Sequence, residues 1–294
     1  VFNDDVCTRA SAQKAHLCDA KDETECKAQC DKGSFESCFN YARFVKKAKS
    51  SAAAMPMLKK ACDGGFADGC AELGRVMSPS EATEQDEAKA ALAMLNKACD
   101  MGSGFGCDLA GDLLTDKDFK TYDVATALKR YDRGCDLGYG TACWSLANVY
   151  FRGAGVTKDT TKGMELLLKA CQGGSADECA ELGTTYAKGR HDQAVDKDRA
   201  YRYQRRACDL DTFNCEDAAK YALAADKDTE AFALATRGCT AKDDAACLIV
   251  ADLYNKGRGT AKDEDKAKAT WTAICKDGDG DEDACKRLGI KMKD

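Results

Sequence analysis

Proline is almost absent from this sequence, with two residues in 294, and histidine is as scarce, His16 and His191 being the pair. So little proline leaves helices uninterrupted, because proline removes a backbone donor and clashes inside a helix. So little histidine weakens any metal reading, and no C-x2-C pair replaces the missing imidazoles. No metal or cofactor is expected. There is no run of eighteen apolar residues, so no helical membrane span is expected. Lys and Arg number 44 against 50 Asp and Glu, a net charge of −6, which gives no basic footprint for nucleic acid. The opening VFNDDVCTRA has neither the basic nor the apolar region of a signal peptide, so any leader is expected to be missing from this chain.

What is abundant is cysteine, nineteen residues of it. Cytosolic thiols stay reduced, so this density points to disulfides in an oxidising compartment. Pairs with seven residues between them occur at Cys30/Cys38, Cys62/Cys70, Cys99/Cys107, Cys135/Cys143, Cys171/Cys179 and Cys239/Cys247. Cys208/Cys215 is one residue shorter and Cys275/Cys285 two longer. The first cysteines recur at about 36 residues, the period of a helix–turn–helix solenoid.

Alignment on the first cysteine exposes a helix. Eight residues before it stand Ala54, Ala91, Ala127, Gly163, Ala200, Ala231 and Ala267; four before it stand Leu58, Leu95, Tyr131, Leu167, Gln204, Ala235 and Trp271. With the residue at −1 these share one helical face. This helix, A, ends in a basic residue, as in LKKAC and YDRGC, which suits the macrodipole at a helix C-terminus. After the second cysteine comes helix B. Its +4 position is always small (Gly74, Gly111, Ala147, Gly183, Ala219, Ala251, Gly289), so another helix must cross there closely. Its +7 position is often aromatic or long, as at Tyr150, Tyr186, Tyr254 and Met292.

Residues eight apart on one continuous helix would lie roughly 12 Å apart. A disulfide needs Cα atoms within about 4.4–6.8 Å. Each pair therefore demands a chain reversal: one cysteine ends helix A, the other begins helix B, and the bond staples the turn. A nine-residue loop closed this way contributes about 2.5 kcal/mol in the loop-entropy account.

LANVYFRGAGVTKDTTKGMELLLKAC, from Leu146 to Cys171, resembles the Sel1-like repeat, with its L-G-x-x-Y, G-x-G-V and D-x-x-K-A elements. With the cysteine staple added, the chain is similar to the Helicobacter cysteine-rich proteins. The resemblance covers residues 30–294, departing from the pattern at 75–88 and 219–231. It implies an all-α fold, a right-handed α/α superhelix of about seven to eight stapled repeats. One repeat domain, 1–294, is expected, with an N-terminal cap at 1–29, repeats at 30–285 and the end of the last helix at 286–294.

LCDAKDETEC carries the same spacing at Cys18/Cys26, only four residues before Cys30, so its helix must be short. Counting that pair leaves Cys7. An odd cysteine points to a disulfide-linked dimer, a free thiol, or a partner cysteine lying outside this fragment. The pairing among Cys7, Cys18 and Cys26 stays open.

Other motifs carry less. SAQK at 11–14 matches the S-x-x-K of penicillin-interacting serine enzymes, but S-D-N and K-T-G are absent. DGDGDED at 277–283 lacks the Gly and Glu that an EF-hand loop requires. No catalytic residue is assigned.

Solenoids expose extended surfaces, and the resemblance implies an interaction adaptor, periplasmic or secreted, of bacterial origin. A protein or peptide partner is expected on the concave face. The alternative is a β-lactamase-like protein or a binder of penicillin or peptidoglycan fragments. By analogy with TPR superhelices the A helices line the concave side, presenting their −3 row. Asn96, Asp132, Leu168, Arg205 and Thr236 are candidates from that row, joined by Tyr201 and Arg202 from RAYRYQRRAC. Arg and Tyr dominate binding hot spots.

Overall fold

The computed structural model describes residues 15–79, 85–276 and 280–291, and among these every regular element is helical. Cys7 and the SAQK motif lie outside the described residues, as do 277–279 of the acidic loop. Two compact units divide the chain, 1–146 and 147–294, the boundary falling inside one helix. The first holds α1 (Glu23–Asp31), α2 (Phe35–Ala48), α3 (Ser51–Asp63), α4 (Ala67–Met77), α5 (Gln85–Asp100), α6 (Gly104–Thr115), α7 (Val124–Asp136) and the start of α8 (Gly140–Arg152). The second holds α9 (Thr160–Gln172), α10 (Ala176–Lys188), α11 (Lys197–Leu210), α12 (Cys215–Ala224), α13 (Asp228–Thr240), α14 (Asp244–Lys256), α15 (Glu264–Cys275) and α16 (Glu282–Leu288). The last helix stops at Leu288, before the expected 294, because Gly289 takes a left-handed φ of 72°.

Odd-numbered helices are the A helices and end within two residues of a first cysteine. The turn that follows is the same in repeat after repeat. Three residues past the cysteine the backbone has positive φ, supplied by Gly33, Gly65, Gly102, Gly138 and Gly174 and, in one repeat, by Lys242 at 69°. The amide of that residue donates to the cysteine carbonyl, and the next amide donates to the residue before the cysteine. In one turn these are Gly174 to Cys171 and Ser175 to Ala170, both at 3.2 Å. The bonds close the helix as a Schellman motif.

The reversal brings each pair of cysteines to bonding distance. Cα separations are 4.9 Å for Cys18–Cys26 and 4.4 Å for each of Cys30–Cys38, Cys62–Cys70, Cys99–Cys107 and Cys239–Cys247. They are 4.5 Å for Cys135–Cys143, 4.6 Å for Cys171–Cys179, 4.5 Å for Cys208–Cys215 and 4.9 Å for Cys275–Cys285. The second cysteine does not begin helix B, however, and that expectation is corrected. Cys38, Cys70, Cys107, Cys143, Cys179 and Cys247 each stand fourth in their helix, as Cys285 does in the last. The Schellman turn uses up the residues before them, and the first turn of helix B is wound before the bond is reached. Their amides close that turn on the N-cap carbonyl, Cys38 on Ser34 at 3.0 Å, Cys107 on Ser103 at 3.0 Å and Cys247 on Asp243 at 3.0 Å. Cys70 bonds Phe66 and Cys143 bonds Tyr139 in the same way, at 3.3 and 3.4 Å. The staple thus sits one turn inside helix B, where all five of these sulfurs belong to buried residues. Cys215 is the exception: it opens α12, because the short 3-10 turn Thr212–Asn214 takes the place of the first helical turn.

New A helices start on capping side chains. Asp123, Asp159, Asp196 and Asp263 each accept from the backbone N–H three residues on, which satisfies one of the orphan donors of a helix start.

The core follows the −8, −4, −1 face. Leu58, Leu95 and Leu167 at −4 are fully buried, each contributing about 1.5–3 kcal/mol. The small +4 residue of helix B receives the −4 residue of the following helix A. A Cβ on Gly74 would lie 2.7 Å from Leu95 Cγ, one on Gly111 2.3 Å from Tyr131 Cε1, and one on Gly183 2.6 Å from Gln204 Cγ. Where −8 is itself glycine, at Gly163, the ring of Phe151 fills the space. Glycine and alanine also trade places across the hairpin. Gly69 faces Ala61 and Gly106 faces Ala98, while Gly134 faces Ala142 and Gly238 faces Ala246. One side of the crossing must lack a Cβ, and which side is immaterial.

The basic residue at −2 does more than face its own helix dipole. Lys60 Nζ donates to the Cys30 carbonyl at 2.6 Å, one repeat back. Arg133 reaches the Cys99 and Asp100 carbonyls at 3.1 and 3.2 Å. Arg206 reaches those of Cys171 and Gln172, both at 3.3 Å, and Arg237 reaches that of Cys208 at 3.2 Å. A helix end leaves carbonyls without intrahelical donors, and here the next repeat supplies the cation that takes them.

Candidate partner-binding groove

In the second unit the +7 tyrosines are held as posts. Tyr150 carries Lys162 Nζ 4.2 Å from its ring centroid. Tyr186 carries the Arg199 guanidinium at 5.2 Å, and Tyr254 carries Lys266 Nζ at 5.3 Å. The cation always comes nine residues before the next first cysteine, in the first turn of helix A. Tyr186 stacks on Tyr203 at 5.7 Å, and Phe232 meets Tyr254 edge-on at 5.0 Å. The N-cap aspartate of the following helix ties each post down: the amides of Asp159, Asp196 and Asp263 donate to the carbonyls of Tyr150, Tyr186 and Tyr254 at 3.0, 2.9 and 2.9 Å. Ring and cation together pack the end of helix B against the first turn of the following A helix.

Between α4 and α5 the same two positions hold Met77 and Ala90. With neither ring nor cation there, a groove of about 740 Å³ opens between α3, α4 and α5. Its wall is Met55 and Pro56 from α3, Leu73 and Met77 from α4, and Ala90, Ala93 and Met94 from α5; Lys59, Asp63 and Lys97 stand at its rim. Pro56 lies inside α3 on an exposed side and adds carbon to this wall. Leu73 is buried at the floor, the methionines are half-buried, and both lysines are exposed. Three thioethers on one apolar surface are adaptable to different shapes.

The residues singled out from the sequence are spread differently. Arg202 and Arg205 are exposed on α11, Arg205 standing 3.9 Å from Asp209. Asp132 and Thr236 are exposed, the Thr236 hydroxyl donating to the Phe232 carbonyl at 2.7 Å. Asn96 and Leu168 are half-buried, and Asn96 Oδ1 is enclosed with no hydrogen-bond partner. Tyr201 must be corrected. It is 5% exposed and packs in the core with Ala231, Leu234 and Ala235, so it is no part of an open recognition patch. The −7 row is where one A helix leans on the next, and a tyrosine there is drawn into the joint. The cavity beside it, lined by Tyr201, Arg205, Asp209, Glu230 and Arg237, encloses only about 170 Å³, and Arg237 already pairs with Asp209 at 2.6 Å.

The groove escaped sequence reasoning, although two signals were present. Five of the seven methionines fall between positions 55 and 101, and Met77 takes the +7 position that holds tyrosine in three later repeats. The histidines take no part in it. His16 lies 3.1 Å from Glu25, and His191 stacks on Phe151 at 3.6 Å, where burial pushes its pKa down. Among the described residues no group of three or more His, Cys, Asp or Glu could hold a metal ion, and no helix is long and apolar enough to cross a membrane.

The fold defines the class: a protein of helical repeats in which hairpins are stapled by paired cysteines. The Sel1 repeat matches residues 67–103, 140–175, 179–211 and 244–269, so the chain carries Sel1 repeats. Proteins of such repeats are protein-interaction scaffolds. Three of the matched segments, 67–103, 140–175 and 179–211, open at or just after a hairpin turn and close near the next one, so the disulfide Cys171–Cys179 joins one Sel1 repeat to its successor.

Among solved structures the chain is similar to a protective antigen present in uropathogenic Escherichia coli strains that displays an SLR fold. Identity is 16% and the TM-score 0.53, covering 93% of this chain and 61% of that one. It thus spans less than two thirds of that antigen's length. The immunity protein Pa5087 of Pseudomonas aeruginosa is similar at 14% identity and a TM-score of 0.51, over 69% of this chain and 80% of that one. Cysteine rich protein B of Helicobacter pylori is 26% identical over 47% of this chain and 96% of its own, with a TM-score of 0.37. A search of curated proteins returns no match. The nine disulfides among the described residues fit an extracytoplasmic, oxidising environment.

Proposed function

We propose that the chain is a periplasmic or secreted scaffold that holds a segment of another protein in the groove between α3 and α5. The observation that carries this reading is the missing post. Where three repeats set a Tyr against a cation of the following helix, Met77 and Ala90 line an open apolar groove of about 740 Å³. That volume is in the range of ordinary binding sites, and an apolar surface of this kind on a stapled frame is a place for a partner. The staples and the −2 cations keep the A helices in register, so the groove is preorganised and binding avoids the cost of ordering it.

A photocrosslinking amino acid at Ala93, on the exposed edge of the groove, tests the reading. In extract of the source cells' envelope it is expected to capture a protein that the same group at Ala269, in the equivalent position of another repeat, does not. Ala93→Arg in the otherwise unmodified protein is expected to abolish competition for that capture. Equal capture at both positions would remove the groove as the site.

A further inference from the structure

We infer that the groove accepts an aromatic side chain carried on an acidic segment of the partner, the ring standing where the chain's own tyrosines stand in the second unit. The inference rests on the groove reading and names what fills it. The first support is an internal template. In three repeats positions +7 and −9 face each other, a tyrosine ring from +7 lying against the cation at −9. At the groove the same two sequence positions hold Met77 and Ala90, so neither a ring nor a long cation stands there. A ring entering from outside would meet Met55, Met77 and Met94, and thioether sulfur makes favourable contacts with aromatic edges. Leu73 at the floor suits the ring's apolar face.

The second support is charge. The chain as a whole is acidic, at −6, yet the rim carries Lys59 and Lys97 against the single acid Asp63. Lys97 Nζ lies 3.5 Å from a neutral acceptor, Cys62 Sγ. Carboxylates flanking the incoming ring would find both ammonium groups within the rim, and complementarity of this kind sets specificity and association rate. Basic flanks would be repelled.

A random dodecapeptide display library selected against the intact, oxidised protein tests this directly. The expected winners carry Trp, Tyr or Phe with Asp or Glu on either side. Replacing the ring by Ala is expected to weaken a winner by about tenfold or more, as for a hot-spot aromatic; exchanging its acids for Lys should do the same. Met77→Tyr with Ala90→Lys rebuilds the chain's own post, and is expected to block these peptides while leaving the thermal midpoint no lower than wild type. Winners that the rebuilt post blocks but that lack rings or acids would overturn the inference and leave the groove reading standing. Winners indifferent to the rebuilt post would overturn both, as would no enrichment at all. Phe213 in DLDTFN is a strongly exposed aromatic beside acids, 87% exposed. Self-association in sedimentation that Phe213→Ser and the rebuilt post each abolish would make a second copy the occupant, which bears out the ring and its acids and overturns the reading that another protein supplies them.

Discussion

Gly111 on α6 and Tyr131 on α7 occupy one space: a Cβ on Gly111 would stand 2.3 Å from Cε1 of Tyr131. The glycine is there for its neighbour's ring, since nothing in its own helix requires it. Alanine is worth about 1 kcal/mol over glycine in a helix interior, and overpacking a core costs about 1–3 kcal/mol. Overpacking wins here because Tyr131 is 3% exposed and its hydroxyl is fixed on Asp112 Oδ1 at 2.8 Å. Gly111→Ala is therefore expected to lower the urea midpoint, and Tyr131→Leu in the same chain to recover part of the loss. A rise in midpoint for the single variant would show that the crossing is looser than the geometry states.

The cations at −2 make a second prediction. Arg133 donates to two backbone carbonyls of the preceding repeat, at 3.1 and 3.2 Å. Charged hydrogen bonds contribute about 1.5–3 kcal/mol when shielded, and solvent at this exposed site reduces that to about 1 kcal/mol. Arg133→Met is expected to destabilise by that amount and to speed hydrogen exchange at the Gly102 and Ser103 amides, which close the turn it clamps. Arg133→Lys should retain part of the effect, because Lys60 makes the equivalent bond to Cys30. Unchanged exchange in the Met variant would mean that the Schellman bonds hold without the clamp.

One turn departs from its siblings. Lys242 takes φ 69° where five other repeats place glycine, and a left-handed conformation costs an L residue with a Cβ roughly 1 kcal/mol. Lys242→Gly is expected to raise stability by up to about 1 kcal/mol. Gly174→Ala, at φ 97°, should lower it by at least as much. Equal and small effects from both in calorimetry would deny the turn its role.

How far the sequence foretells all this depends on the range of each interaction. The −8, −4, −1 face and the turn glycines are legible because they repeat locally and obey the helix period. Cysteine spacing demands a reversal but does not say where the reversal ends, so the place of Cys38 or Cys107 one turn inside helix B emerges only with the Schellman bonds. The small +4 residue announces a crossing partner, though not that the partner is −4 of the next helix. Sequence alone assigns the −2 cations to their own dipole. Their bond runs a whole repeat back, and only stacking reveals it. Tyr201 deceives for a related reason: at 100° per residue −7 sits between core and solvent, and its burial is decided by the neighbouring helix. Met77 and Ala90, far apart in pattern and unremarkable singly, define a groove only when each is compared with Tyr150 and Lys162 at the same positions.

Acid stability offers a prediction with two opposite signs. Glu72 is half-buried, and burial pushes its pKa up, but hydrogen bonds from Arg75 at 2.6 Å and Lys46 at 3.1 Å outweigh that and hold it below the usual range. A depressed carboxylate binds its proton less tightly in the fold than in the unfolded chain. Its stabilisation is complete above the unfolded value, about 4.3, and is lost as pH falls through the folded pKa. Asp228, held down by Arg258, and Asp263, held down by the amide of Lys266, act in the same direction at the surface. Asp112 opposes them. Burial beside Tyr131 raises its pKa, and the hydrogen bond from the tyrosine hydroxyl only partly offsets this. The fold binds that proton more tightly, so the contribution of Asp112 is fully present below about 3.9 and is lost as pH rises through the folded pKa. Thermal midpoints from pH 7 to pH 3 should therefore hold down to about pH 5 and then fall. The deficit of Glu72→Gln relative to wild type should shrink as pH falls. Asp112→Asn should compare best with wild type at neutral pH and lose ground in acid. If the two variants drifted in the same direction, the environments assigned to Glu72 and Asp112 would be wrong.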